Sequence, residues 1–108
     1  MKTSELQQLA QLAALRSARS AARLAPRQAK VDALRAQVSQ LRDAPRAEVT
    51  DVAQAIVQDK HDIWRADRLR RLSMDLALAE AAAQPLREAH ARDRAREAVI
   101  ARLRPRRR

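Results

Sequence analysis

The sequence predicts an all-α chain folded as a long antiparallel two-helix coiled-coil hairpin, with the second helix longer than the first. Three observations carry that prediction. The 108 residues include no glycine, the residue that most readily lets a backbone turn sharply. Alanine supplies 25 of them and arginine 20, and both sit at the favourable end of the helix scale. The larger apolar residues fall in stripes at spacings of three and four rather than in clusters. Phe, Tyr and Cys are absent and Trp64 is the sole aromatic, so a large globular core is out of reach. One small domain that acts through the outside of a helical rod is the expectation.

The first helix is predicted over about 4–43. Ser4 and Gln7 have the spacing of a capping box at its start. Leu6, Leu9, Leu12 and Leu15, then Leu24, supply its first apolar positions. From Val31 the pattern turns regular, and Val31, Leu34, Val38 and Leu41 read as two heptads of seam residues. Asp43-Ala44-Pro45-Arg46 interrupts the pattern and places a turn within 43–50. The second helix is predicted over about 46–104, with Pro45 suited to its first turn and Thr50 followed by Asp51 as the other candidate cap. Its stripe runs through Val49, Val52, Ile56 and Ile63, then Leu69, Leu72, Leu76, Ala79, Ala83 and Leu86. Six residues instead of seven separate Ile63 from Leu69, which predicts a slip of register there. Ile100 and Leu103 resume the stripe before a basic tail at 104–108.

Pro26 and Pro85 fall inside these helices. Each removes a backbone hydrogen bond, at about 3 kcal/mol in an unadapted helix. Two outcomes stay open: kinks in long rods, or helix ends that produce a compact bundle of three or four shorter helices. At 1.5 Å per residue the rods are roughly 60 and 88 Å long, and neither is stable without packing its apolar stripe.

The net charge of +10 comes almost wholly from arginine, since Lys2, Lys30 and Lys60 are the only lysines. An arginine-rich, alanine-rich composition has a bland source in a GC-rich genome and a functional one in an acidic partner. Location distinguishes the two. Residues 1–30 carry Lys2, Arg16, Arg19, Arg23, Arg27 and Lys30 against Glu5 alone, and 102–108 add further arginines without an acid. Beyond the turn the sign reverses, with Glu48, Asp51, Asp59 and Asp62 against Lys60. A hairpin with this pattern is basic at its open end and acidic near its turn, and so can be oriented in a charged cavity.

Catalytic chemistry has little to stand on. Cysteine is absent, which excludes disulfides and thiolates and suits a reducing compartment. The two histidines, His61 and His90, are 29 residues apart. His61 has Asp59 and Asp62 nearby in sequence, but adjacent helix positions do not share a face. The serines lack a nucleophile-elbow context and no glycine can form a phosphate-cradling loop. The expectation is a non-enzyme with no cofactor and no metal. The N-terminal stretch lacks the apolar core of a signal peptide, and no run approaches the ~20 apolar residues of a membrane span. Trp64 reads either as a seam residue filling the irregularity or as an exposed anchor for a partner.

The stretches LQQLAQLAALRSARSAARLA, DAPRAEV and WRADRLRRLSMDLALAEAAAQPLREAHARDRAREAVIARL together resemble the FliJ family of flagellar export proteins, which includes the YscO-type stalks of type III secretion injectisomes. The resemblance covers nearly the whole chain as a texture of helix lengths and Arg/Ala/Leu content. It implies a soluble, cytoplasmic antiparallel coiled coil that enters the pore of a hexameric export ATPase and links it to the membrane export gate. The chain would then lie peripheral to the inner membrane through that complex, and export chaperones are further implied partners. On this reading Arg16, Arg19 and Arg23, with Arg102 and Arg104, meet acidic groups lining the pore, while Trp64, Asp59 and Asp62 form a surface for a second partner. Two rival classes remain. A chain this basic suits nucleic acid, although it has no aromatic stacking platform and its charges are mixed from 48 to 97. A structural or regulatory coiled coil is the other rival. A membrane-surface helix over 86–108 has thin apolar content.

Overall fold

The structure, a computed structural model, describes residues 2–103. It is an all-α helical hairpin of two helices, α1 (Thr3–Asp43) and α2 (Val52–Leu103), joined by the non-helical segment 44–51. No strand occurs among the described residues. Both prolines lie inside uninterrupted helix. Each is exposed, and so are Ala22 and Ala81, whose carbonyls lose their helical donor to the proline four residues on. The freed carbonyls therefore face the side of the helix that water reaches. No break at 26 or 85 divides the chain into three or four helices.

The helix ends are set by side chains. At the start of α1, main-chain amides of Glu5 and Leu6 donate to the Lys2 carbonyl, and the Glu5 carboxylate accepts from the Lys2 amide at 3.4 Å. This is half of a capping box placed two residues earlier than the Ser4–Gln7 spacing suggests. The α1 C-terminus is served from across the hairpin, where the Arg65 guanidinium donates to the Arg42 carbonyl at 2.5 Å. The start of α2 is later than the sequence suggests, at Val52 rather than near 46. Asp51 is the cap: its Oδ1 accepts from the Gln54 amide at 2.7 Å, while Gln54 Oε1 accepts from the Thr50 amide and hydroxyl at 2.8 and 2.6 Å. Pro45 does not open the helix, and segment 44–51 stays non-helical, with Arg46 ion-paired to Asp62.

The hairpin divides into two compact units, one of 1–28 with 81–108 and one of 29–80. The second has an aliphatic seam. Val31, Leu34, Val38 and Leu41 of α1 turn inward at three- and four-residue steps against Arg65, Leu69, Leu72, Leu76 and Ala79 of α2. Val31 is fully buried, which contributes on the order of 2 kcal/mol relative to exposure, and Leu72 is 4% exposed. An Arg35–Glu80 ion pair and the Arg65–Arg42 bond tie the two helices antiparallel. The expected slip between Ile63 and Leu69 is absent. Ile63 is largely exposed and lies off the seam, which instead passes through Gln58, Asp62, Arg65 and Leu69 in unbroken alternation. Polar residues hold those positions, so a stripe drawn through apolar residues alone misses them.

The first unit has a different interior. Its buried residues are Leu6, Ala13, Ser17 and Ala83, and Ala83 has no exposed surface. Ala10, Ser20 and Leu24 are among the half-buried residues on the α1 side, and Leu86, His90, Asp93, Glu97 and Ile100 among those on the α2 side. Of the N-terminal leucines only Leu6 belongs to its core: Leu12 and Leu15 are 59% and 67% exposed, and Leu9 is 38% exposed. Alanine and serine at the seam permit close helix approach and displace the leucines to the flank.

Candidate functional site

One flank of the first unit carries an ordered stripe on each helix. On α1, Leu9, Leu12, Arg16, Arg19 and Arg23 follow at steps of three and four, which places them along one side of the helix. On α2, Ala89, Arg92, Arg96, Val99 and Leu103 do the same. Between the stripes lies a groove of about 500 Å³ that Arg16, Arg19, Arg23, Arg92 and Arg96 line together with Leu86 and Ala89. Asp93 is the one carboxylate in its wall, and it pairs with Arg96 at 3.5 Å. Arg16, Arg19, Arg23 and Arg92 have no carboxylate partner among the described residues. Five guanidiniums against one carboxylate, on two rigid helices, make a fixed positive field suited to an anionic surface.

Polar residues in the seam brace the groove from beneath. Ser20 Oγ lies 2.8 Å from His90 Nδ1 and 3.0 Å from the Ser17 carbonyl oxygen. One hydroxyl hydrogen cannot serve both partners: when it goes to the Ser17 carbonyl, His90 Nδ1 donates to Ser20, and when it goes to His90, Nδ1 accepts. Farther along, Arg87 Nε donates to Gln28 Oε1 at 2.8 Å, and this second cross-helix bond stands where Arg27, at the next heptad position, turns out to solvent.

At its other end the basic groove runs into an apolar one. Leu9, Leu12, Ala13 and Ile100 line a depression of about 360 Å³ that shares Arg16, Asp93 and Arg96 with the first. The displaced leucines thus form an apolar compartment beside the arginines.

The structure brings together three of the sequence-derived arginines, Arg16, Arg19 and Arg23. Their companions are Arg92 and Arg96, not Arg102, which is exposed in the last turn of α2 outside the groove lining. Arg104 lies outside the described residues. In the second unit Trp64 is half exposed and stacks on His61 with ring centroids 5.6 Å apart. It sits on the flank beside Gln37, Gln40, Leu41, Arg68 and Leu72, and is not a seam filler. Asp62 is half-buried, paired with Arg46 and accepting from Gln58 Nε2 at 2.9 Å; Asp59 is exposed. Sequence reasoning missed Arg92 and Arg96, although their spacing of four already placed them on one face.

Among the described residues no helix is long and apolar enough to cross a membrane, and no group of His, Asp and Glu stands close enough to hold a metal ion. No protein-family model, curated protein or solved structure matches the chain.

Proposed function

We propose that this chain is a non-enzymatic docking stalk whose working surface is the arginine groove of the first unit, and that the groove takes an acidic, partly apolar face of a protein partner. The observation that carries the reading is the convergence of Arg16, Arg19, Arg23, Arg92 and Arg96 on one groove that continues into the Leu9–Leu12–Ile100 compartment. A composition effect alone scatters arginines around a helix; it does not leave one flank with five of them and a single acid. The FliJ resemblance supplies a specific occupant: the hexameric export ATPase of a flagellar or type III export apparatus, with the export gate or a chaperone at the Trp64 side, in the cytoplasm and peripheral to the inner membrane through the complex.

Nucleic acid is the second reading, favoured by the same five arginines. The apolar compartment counts against it, as does the lack of an aromatic in the groove on which a base could stack. Binding of the full chain to a purified export ATPase and to duplex DNA, each at about 50 and 200 mM salt, separates the two. Phosphate binding through five contacts should fall by two to three orders of magnitude over that range. The expected result is ATPase binding and stimulation that survive the salt increase in part, with at least a tenfold loss in Arg16→Glu/Arg19→Glu/Arg23→Glu. Equal ATPase binding by that triple variant would sink the groove assignment.

A further inference from the structure

The second unit presents a surface that complements the groove in both charge and apolarity. The first turns of α2 have no facing helix, because α1 ends at Asp43, near Arg65. Val52, Ile56, Val57 and Ile63 are therefore all more than half exposed, and Val49 and Trp64 expose half their surface beside them. Segment 44–51 covers only part of this stretch, through Ala47, Glu48 and Val49 against Ala53 and Val57. The same stretch holds Glu48, Asp51, Asp59 and Asp62 against Lys60. Glu48 and Asp59 are exposed and have no ion-pair partner among the described residues.

We infer that a second copy of this chain seats its 48–64 segment in the arginine groove of the first. Complementarity selects that occupant from the copies' own surfaces. Groove against groove would bring two sets of five arginines together, and segment against segment would oppose Glu48, Asp51 and Asp59 to themselves. Groove against segment pairs guanidiniums with carboxylates and covers Leu9, Leu12 and Ile100 with Val52, Ile56 or Ile63. Two different patches meet in such a contact, so it is satisfied either reciprocally in a two-fold dimer or head-to-tail with one groove and one segment left open at the ends. The partner expected for the groove and the second copy compete for one surface.

Two double variants test this by mutual rescue. Arg19→Glu/Arg23→Glu makes the groove mixed in sign, and Glu48→Arg/Asp59→Arg makes the segment basic; all four side chains are exposed, and helicity by circular dichroism confirms that the fold is retained. Sedimentation of the wild-type chain at low salt should show mass rising with concentration to a dimer or a larger assembly, and falling back as salt is raised. Each double variant alone should associate at least tenfold more weakly, and an equimolar mixture of the two should recover association. Three results overturn the inference: a wild-type chain monomeric at every concentration, a fixed salt-insensitive dimer, or loss in Glu48→Arg/Asp59→Arg with no loss in Arg19→Glu/Arg23→Glu. The two readings of the groove fail separately, since a monomeric chain whose groove still binds the ATPase ends this one and leaves the other standing.

Discussion

The two units solve one packing problem with opposite materials. In the 29–80 unit the seam is mainly valine and leucine: Val31, Val38 and Leu72 are buried together with Ala79, and Leu34, Leu41, Leu69 and Leu76 flank them. In the unit of 1–28 with 81–108 the seam is mostly small, with Ala13, Ser17 and Ala83 around a Ser20–His90 hydrogen bond; Leu6 is buried there, but Leu12 and Leu15 stand outside. Large seam side chains bury more apolar area per residue, so the second unit should carry more of the stability. Small ones bury little and free the large apolar residues for the flank. The first unit thus holds the surface best suited to a partner, at a cost in its own cohesion.

That contrast can be broken from either side. Leu72→Ala, at a buried aliphatic position, should have the largest effect, a loss of about 3 kcal/mol in urea unfolding followed by circular dichroism. A loss below about 1 kcal/mol would show that the aliphatic seam is not what holds that unit. The first unit should be sensitive to enlargement instead. Ala83→Leu has no space to occupy and should cost about 2 kcal/mol in the same measurement, whereas a stabilised protein would mean that the seam is loosely packed there. Ser20→Ala removes the hydroxyl bonded to His90 and should cost about 1 kcal/mol. Smaller still, Arg35→Ala deletes an exposed cross-helix ion pair and should change stability by less than about 1 kcal/mol. Finally, Leu12→Ser should leave stability within about 0.5 kcal/mol, because the side chain is mostly in water, while it weakens any partner seated in the apolar compartment. A large loss of stability in Leu12→Ser would move that leucine back into the core.

The two units also differ in how far the chain could be read without coordinates. Val31, Leu34, Val38 and Leu41, with Leu69, Leu72 and Leu76, were legible because the seam and the large apolar residues coincide. The N-terminal half misled because Leu6, Leu9, Leu12 and Leu15 are the conspicuous apolar residues, and only Leu6 is buried. A stripe drawn by size passes over Ala13, Ser17 and Ser20, whose burial depends on what the other helix brings opposite them. The same bias produced the slip at Ile63: the seam continues through Asp62 and Arg65, which no apolar count selects. Helix α2 begins at Val52 because the Asp51 carboxylate satisfies the Gln54 amide, a local bond that outweighed the proline signal at Pro45. Arg16, Arg19 and Arg23 were identifiable as a basic face from their spacing, but which α2 arginines stand beside them depends on the register between the helices, which spacing within one helix does not give.

The hydrogen bond between Ser20 and His90 carries a consequence for alignment. Two alanine-rich helices resemble a zipper with near-identical teeth: displacement by one heptad, about 10 Å along the axis, substitutes one small apolar tooth for another at little loss. A directional bond between a hydroxyl and an imidazole does not survive such sliding; in one direction Ala83 would face Ser20 and Ala13 would face His90, leaving both polar groups without each other. Together with the Arg87–Gln28 bond, this polar pair gives the repetitive interface of the first unit fixed marks against which its other positions are counted.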